Sequence, residues 1–444
     1  MRPPPEPTDA SPAAAVAGEV VVPAGGSSSA AARAAASATT GEARRLTMLF
    51  GLLYFLQGIC EPTEGLLAQP VRALLKSWHD SPEEITAFAA LLGLPWSIKP
   101  LYGLLTDFLP LAGYRRKAYL ALSSLAALVG FAWLGLTPLG ENHGWLLLLI
   151  VPSMGVAFND VVVDALMVEH GQPRGLTGRL QSVQWTAIYT ASILTGVAGG
   201  YLSGRGLYQT AFMICAGVAL LMLGLSLVAV NEPRRPPHPE GFRGALAALW
   251  QALRSPVVGS VCLLIFLFEF NPFSSTVLYL RMTEDLHFSE EFTGLTRSLV
   301  AVASIAACLS YGFYCRKVPM RWLVHLSIAM GIVSTLAYWL LWNAALACVV
   351  SLAFGFAYTT ALLVQLDLAA QACPATAAGT IFAAIMALSN LSTSLATYVG
   401  GNLYEQGNRL WGHTSSYNLL VAIGALTTAT CWLVVPLLPK RLVP

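Results

Sequence analysis

The sequence predicts an all-α membrane protein, twelve transmembrane helices arranged as two six-helix halves. Three observations lead there. Hydrophobic residues make up 56% of the 444 and charged residues only 11%, whereas soluble domains carry about 25% charge. Apolar runs of roughly 20 residues, the length that crosses a hydrocarbon core, recur along the chain. One polar, proline-rich break, NEPRRPPHPEGFRG at 231–244, divides those runs six and six.

Residues 1–45 are rich in Ala, Pro, Ser and Gly without periodicity and read as a disordered cytoplasmic tail. VVVPAGG is too short for a signal-peptide core. Glu6, Asp9, Glu19 and Glu42 argue against a transit peptide. Spans are expected at 47–68, 84–107, 117–137, 145–169, 178–202 and 209–230 in the first half, 46–230. A cytoplasmic linker, 231–255, leads to the second half, 256–444, with spans at 256–281, 292–313, 320–341, 344–370, 376–403 and 416–438. A shift of 201 residues lays Pro173 on Pro374, Gly178 on Gly379 and Gly199-Gly200 on Gly400-Gly401. That match suggests internal duplication, and repeats of this kind build transporters.

Lys and Arg set the orientation. With both termini cytoplasmic, sixteen fall on the inner side (44, 45, 115–117, 174, 179, 234, 235, 243, 254, 316, 317, 321, 440 and 441) and six on the outer (72, 76, 205, 281, 297 and 409). The expected setting is a lipid bilayer, the plasma or bacterial inner membrane, with the protein working as a monomer.

The net charge of +2 implies no nucleic-acid partner. Eight cysteines lie in or beside apolar runs with no CxxC, and seven histidines show no HExxH. The cysteines read as small buried hydrophobes. No Walker motif is present. No metal and no cofactor are expected, and ATP-driven pumping within this chain is excluded.

The stretch LPWSIKPLYGLLTDFLPLAGYRRK, 94–117, carries Lys99, Gly103, Asp107 and Gly113 and ends on Arg115, Arg116 and Lys117. Here the chain resembles the major facilitator superfamily, whose loop after span 2 carries a glycine, an aspartate four residues on, then Gly/Arg-rich sequence. The resemblance implies a gating latch, Asp107 pairing with arginine or a helix N-terminus. The longer insert FLPLAGY, with FNDVVVDALMVE at 158–169, is similar to a narrower group, the folate-biopterin transporter family. Muropeptide permeases have a similar span 2 and span 4. The second half has YGFYCRKVPMRW at 311–322, basic but without an aspartate, so the latch would be asymmetric. Gly196, Gly199 and Gly200 in span 5 have no proline beside them, which favours symport over exchange and leaves the glycines to close helix packing.

Charges inside a membrane are costly and need a partner or a task. By the resemblance, spans 1, 4, 7 and 10 line a central cavity, and Glu61, Glu64, Asp160, Asp164, Glu269 and Asp367 fall on them. Asp160 and Asp164 share one helix face about 6 Å apart along the axis. Two carboxylates that close in low dielectric do not both stay ionised easily, which suits a proton carrier. The depth of Lys99 falls between theirs, and the pairing expected for it is with Asp164, leaving Asp160 to exchange the proton. The structural reading is a permanent Lys99–Asp164 bridge. Glu169 is expected to pair with Arg115 or Arg116. Glu61 and Glu64, flanking Pro62, either meet substrate at the outer mouth or are interfacial. Glu269, with Asn271 and Pro272, marks a break in span 7 facing a cavity, or a kink with a buried hydrogen bond. Arg281 is expected to snorkel outward. Trp96, Tyr102, Phe158, Trp185, Phe268, Phe270 and Tyr358 are packing candidates, of which two or three suit stacking on a flat heterocycle.

The function expected is secondary active transport of a small organic solute by alternating access, coupled to protons. The resemblance implies a folate- or pterin-like substrate; a muropeptide permease is the alternative. An intramembrane aspartyl enzyme is disfavoured, because its two acids come from different helices and no GxGD occurs.

Overall fold

The structure, a computed structural model, describes residues 27–171, 174, 176–234, 244, 246, 247, 250, 254–314, 317–373 and 378–439. Among these residues helices joined by turns and loops make up the regular structure, with one isolated bridge between Leu111 and Tyr114.

Helix α1 runs Ser27–Cys60 and so begins inside the expected tail. The Ala-rich stretch AAARAAAS has the highest intrinsic helix propensity in that segment. The first expected span, 47–68, is not one helix. Its continuation stops at Glu61-Pro62, where proline offers no amide, and resumes as α2, Ala68–Ser77. Gly65 makes the intervening turn tight: a Cβ there would sit 2.6 Å from the Ile59 carbonyl oxygen. Arg72 and Lys76, expected in an outer loop, are therefore on a helix, and Arg72 is buried.

Helices α3 (Pro82–Ser97) and α4 (Lys99–Phe108) together form the second expected span. Ser81 caps α3 in a reciprocal box with Glu84, and Pro82 occupies the first turn. Pro95 and Pro100 bracket the joint between α3 and α4, and Lys99 stands at it. Then follow α5 (Lys117–Leu136), α6 (His143–Leu147), α7 (Ile150–Gly171), α8 (Thr177–Gly204) and α9 (Tyr208–Val228).

In the second half α10 (Pro256–Glu269) ends at the expected break, and α11 (Ser275–Leu280) restarts after Ser274 caps it. A π-helical turn, Arg281–Asp285, precedes α12 (Glu290–Tyr314). The remaining elements are α13 (Met320–Leu336), α14 (Ala344–Ala372), α15 (Ala378–Trp411), α16 (His413–Ala429) and α17 (Cys431–Val434). The linker 235–243, Pro173, Pro374, Arg316 and residues 440–444 lie outside the described residues.

Among the described residues nine helices, rather than twelve, are long and apolar enough to cross a membrane. The three expected spans that fall short have physical reasons. The first and seventh are broken at mid-length, and α8 carries Gln, Ser, Thr and Gly along much of its length.

Packing is dominated by α8 against α12, α5 against α9, α3 against α15 and α12 against α14. Helices in lipid gain nothing from hiding apolar surface from one another, so close approach decides their contacts. Small residues supply it. A Cβ on Gly200 would meet the Glu290 carbonyl oxygen at 2.7 Å, and one on Gly155 would meet the Ser123 carbonyl oxygen at 2.6 Å. Gly199 faces the Leu66 turn and Gly200 faces α12; their offset counterparts Gly400 and Gly401 face Pro272 and Thr86. On the outside, Leu122, Val129, Trp133, Leu220, Leu221, Leu426 and Leu433 are between 52% and 77% exposed, as a lipid-facing surface requires.

Candidate functional site

Two polar clusters sit in the bundle, one from each side of the 231–255 segment. The first gathers Tyr54 and Gln57 from α1, Lys99 from α4, Asp160 and Asp164 from α7, and Gln184 from α8. Lys99 Nζ pairs with Asp160 Oδ2, and Gln57 Nε2 donates to Asp160 Oδ1. Asp164 Oδ1 instead accepts from Tyr54 Oη at 2.6 Å and Gln184 Nε2 at 3.0 Å. The expected Lys99–Asp164 pairing is thus corrected: the lysine meets Asp160. The proline-bracketed joint sets where Lys99 stands, and the acid one turn further from the Asp107 end lies within its reach. The pair is shielded, with 17% of the lysine side chain and 10% of the aspartate side chain exposed. A pair held that deep is maintained only if both partners stay.

The second cluster centres on Glu269, the last residue of α10. Its Oε2 accepts from Tyr358 Oη of α14 at 3.2 Å and from Thr393 Oγ1 of α15 at 3.5 Å. Among the described residues no cationic side chain pairs with it. The break beside it is built rather than frayed. Asn271 Oδ1 accepts from the Phe273 amide at 3.0 Å, and Asn271 Nδ2 donates to Thr335 Oγ1 at 3.1 Å. Tyr358 stacks on Phe354 at 5.3 Å between centroids and 7° between planes. The two halves meet near this depth, where Asn390 Nδ2 donates to the Trp96 carbonyl at 3.3 Å and Tyr189 Oη lies 3.4 Å from Thr359 Oγ1. Tyr102 and Phe158 pack on each other at 4.7 Å, and Trp185 stacks on Tyr189.

The other predicted acids are placed elsewhere. Asp367 accepts from Tyr311 at 3.3 Å and Gln371 at 3.1 Å, nine residues or about 13 Å along α14 from Tyr358. Glu61 is used by its own turn, accepting from the Thr63 and Glu64 amides and the Thr63 hydroxyl. Glu64 is 58% exposed and meets Arg297 at 3.0 Å, Ser275 at 3.1 Å and Arg72 at 3.8 Å.

At the Asp107 end, Arg116 is the hub. Its guanidinium reaches Asp107 and Thr106, and also Glu169 at 2.8 Å. Of the two arginines expected to meet Glu169, Arg116 does. Gly113 turns the loop at φ +83°, a conformation glycine adopts freely. Gly103 packs loosely on Val161. Sequence reasoning missed Glu232, whose carboxylate accepts from the amides of Arg115 at 2.8 Å, Arg116 at 2.9 Å and Lys117 at 2.9 Å. An acid against the first turn of α5 is the favoured arrangement at a helix N-terminus.

The opposite end was read only as loop charge. There Glu290 accepts from Lys76 at 2.9 Å, Gln69 at 2.8 Å and Tyr279 at 2.8 Å. Arg281 does not snorkel: it is buried, paired with Asp285 at 2.9 Å and placed 4.8 Å from the centre of the Tyr417 ring. An acid four residues on in the same turn made the lysine-like escape unnecessary.

A surface recess of about 890 Å³, lined in part by Arg321, Trp322, His325 and Trp432, shares no residue with either cluster.

The BT1 family profile matches residues 63–443. A folate-biopterin transporter of Synechocystis is 31% identical over 400 residues, covering 85% of this chain and 78% of its own. A probable folate-biopterin transporter 4 of Arabidopsis thaliana is 25% identical, covering 79% of this chain and 87% of its own. Among solved structures, a D-xylose-proton symporter superposes with TM-score 0.68 at 15% identity, covering 89% of this chain and 98% of the symporter. The nucleoside transporter NupG superposes with TM-score 0.67 at 12% identity, covering 88% and 98%. With its multiple membrane-spanning helices and the major facilitator fold, the chain belongs to the BT1 family, a family of integral membrane transporters.

Proposed function

We propose that this protein is a proton-coupled secondary transporter of folate- or pterin-class solutes, working by alternating access between two six-helix halves, 46–230 and 256–444. The observation that carries the reading is the pair of interior polar clusters, one per half, built around Lys99–Asp160–Asp164 and around Glu269. Intramembrane acids of this kind mark ion and substrate paths. The named activities of the Synechocystis and Arabidopsis relatives support the cargo class. The parallel placement of Gly199-Gly200 and Gly400-Gly401, each pair facing its own broken span and the opposite half, supports duplication. Both termini face the cytoplasm in this reading, which puts the Glu290 end outside.

The corrected pairing reassigns the proton. Lys99 is committed to Asp160, and Asp164, held by two neutral donors, takes and releases the proton. The test uses purified protein in liposomes, with labelled folates, pterins and peptidoglycan fragments, with and without a pH gradient. Uptake of pterins or folates driven by an inward proton gradient is the expected result; uptake of peptidoglycan fragments alone would favour the permease reading. Asp164→Asn should lose accumulation yet keep substrate exchange. Lys99→Ala should lose at least about tenfold in uptake, since it leaves a buried charge unpaired, and Lys99→Ala with Asp160→Ala should recover part of it. No recovery in the double variant would sink the pairing.

A further inference from the structure

Resting on the pterin-class reading above, we infer that Glu269 selects the heterocycle, by accepting the N–H groups of a 2-amino-4-oxopyrimidine edge. The geometry that points there is the unequal use of its two oxygens. Oε2 accepts from Tyr358 at 3.2 Å, while Thr393 at 3.5 Å is a weak contact that a ligand N–H can replace, so both oxygens have a lone pair to offer. Oε1 has no hydrogen-bond partner among the described residues, and it is not among the fully buried polar atoms that lack one, so it keeps some accessible surface for a donor. The carboxylate of the other half is arranged differently: Asp160 has both oxygens engaged, one by Gln57 and one by Lys99. Asp164, one turn on, carries no cation either, but it lies beside the Lys99–Asp160 pair and accepts from Tyr54 and Gln184, whereas no charged side chain pairs with Glu269 among the described residues.

A carboxylate is acceptor-only, with lone pairs on both oxygens. Its natural neutral partner is a pair of parallel N–H donors on a planar group, which gives two side-by-side charge-assisted bonds. A 2-amino-4-oxo pteridine presents that pair, the exocyclic amine and the adjacent ring N3–H. A 2,4-dioxo pteridine keeps N3–H but turns a carbonyl oxygen toward the second carboxylate oxygen, acceptor against acceptor. Sites built to bond one polar pattern reject the analogue that lacks it far more strongly than apolar pockets do, because the buried group is left unpaired. The Phe354–Tyr358 stack beside the carboxylate supplies a flat apolar wall on which such a ring can lie. Glu269 closes a broken helix, and its carbonyl accepts from the Asn271 amide at 2.8 Å, while the Asn271 side chain ties the break to Thr335 and to the Phe273 amide. The carboxylate is thus held at a defined angle without a counter-ion.

The experiment measures equilibrium binding to purified full-length protein by the intrinsic fluorescence of two probes, pterin and its 2,4-dioxo counterpart, lumazine. Binding is chosen because it does not require turnover. Wild type should prefer pterin by at least about tenfold, the scale of one well-placed charged hydrogen bond. Glu269→Gln should collapse or reverse that ratio, since the amide nitrogen can donate to the 2-oxo group. Tyr358→Phe, which keeps the carboxylate, should weaken both ligands and retain the preference for pterin. An unchanged ratio in Glu269→Gln, with both ligands still bound, overturns the assignment and leaves the cargo reading intact. Loss of pH-driven accumulation in Glu269→Gln with an unchanged binding ratio also overturns it, and makes Glu269 a proton site. Absence of any pteridine binding or uptake by wild type overturns the cargo reading and this inference with it.

Discussion

The two ends of the bundle use the same chemistry for opposite purposes. At the Glu290 end, charged and polar groups bond across the chain's two halves: Glu64 to Arg297 and Ser275, Gln69 and Lys76 to Glu290, and Arg205 to Glu291. Glycines bring the backbones together beneath them, Gly196 and Gly200 against Gly294 and Glu290. At the Asp107 end, Asp107 and Glu169 of the first half, and Glu232 at the start of the linker, are engaged by Arg115, Arg116 and Lys117 of that half. Among the described residues, the bonds named at one end cross between the halves, and those named at the other brace the first half and the segment that follows it. In the proposed alternating-access cycle both are needed, because a closed gate must separate without either half deforming.

Breaking the glycine contact at the Glu290 end should have the largest effect. Gly200→Leu forces a side chain into the Glu290 backbone, which has no rotamer to move away. Uptake should fall at least about tenfold, in line with the cost of overpacking a close interface. Gly217→Leu, on α9 where a Cβ meets nothing within 4 Å, is the control and should transport normally. Equal uptake in the two variants would show that this contact does not matter to the cycle.

A smaller effect is expected from Glu290→Ala, which strips an acceptor from Lys76, Gln69 and Tyr279 but leaves the glycine seam in place. The two halves should then spend more time apart at this end. Spin labels at Leu207→Cys and Trp411→Cys, both exposed positions, would report a longer distance population. An unshifted distribution would mean the ion pairs decorate the gate without holding it.

The smallest effects belong to the Asp107 end. Arg116→Ala frees Asp107 and Glu169, whose side chains are 43% and 46% exposed and remain well solvated. Uptake should fall about twofold to fivefold with a lower melting temperature, the range for loss of one structural hub. Asp107→Asn should cost less still, because the amide oxygen can accept from Arg116 and Glu169 remains. If Asp107→Asn matches Gly200→Leu in severity, this end gates directly rather than bracing one half.

Much of this was legible in the chain before any folding was considered. The spacing of apolar runs marked a multi-pass membrane protein, and Pro272 beside Asn271 located the break that ends α10 at Glu269. The basic cluster after Gly113 pointed to Glu169 as a partner, and Arg116 took it. The span 5 glycines were read as packing residues and are so used. The first break was not anticipated, although Pro62 stood in view, because Arg72 and Lys76 made the following residues look like a loop. Helix α2 buries Arg72 at 5% exposure by folding it against the other half, whose Ser275 accepts its hydrogen bond at 3.1 Å.

What the sequence determined by itself is the outcome of local energetics. Transfer of about 20 apolar residues into lipid, the missing amide of a proline and the cost of a buried charge are properties of a segment, whatever surrounds it. The tertiary structure alone decided which of two acids a turn apart receives Lys99, and that Arg281 turns inward to Asp285 and Tyr417. It alone decided which end of the bundle carries bonds between halves. Those choices depend on the rotation of each helix about its axis and the angle at each proline joint. Both are set by the summed packing of all neighbours, and no segment contains that information on its own.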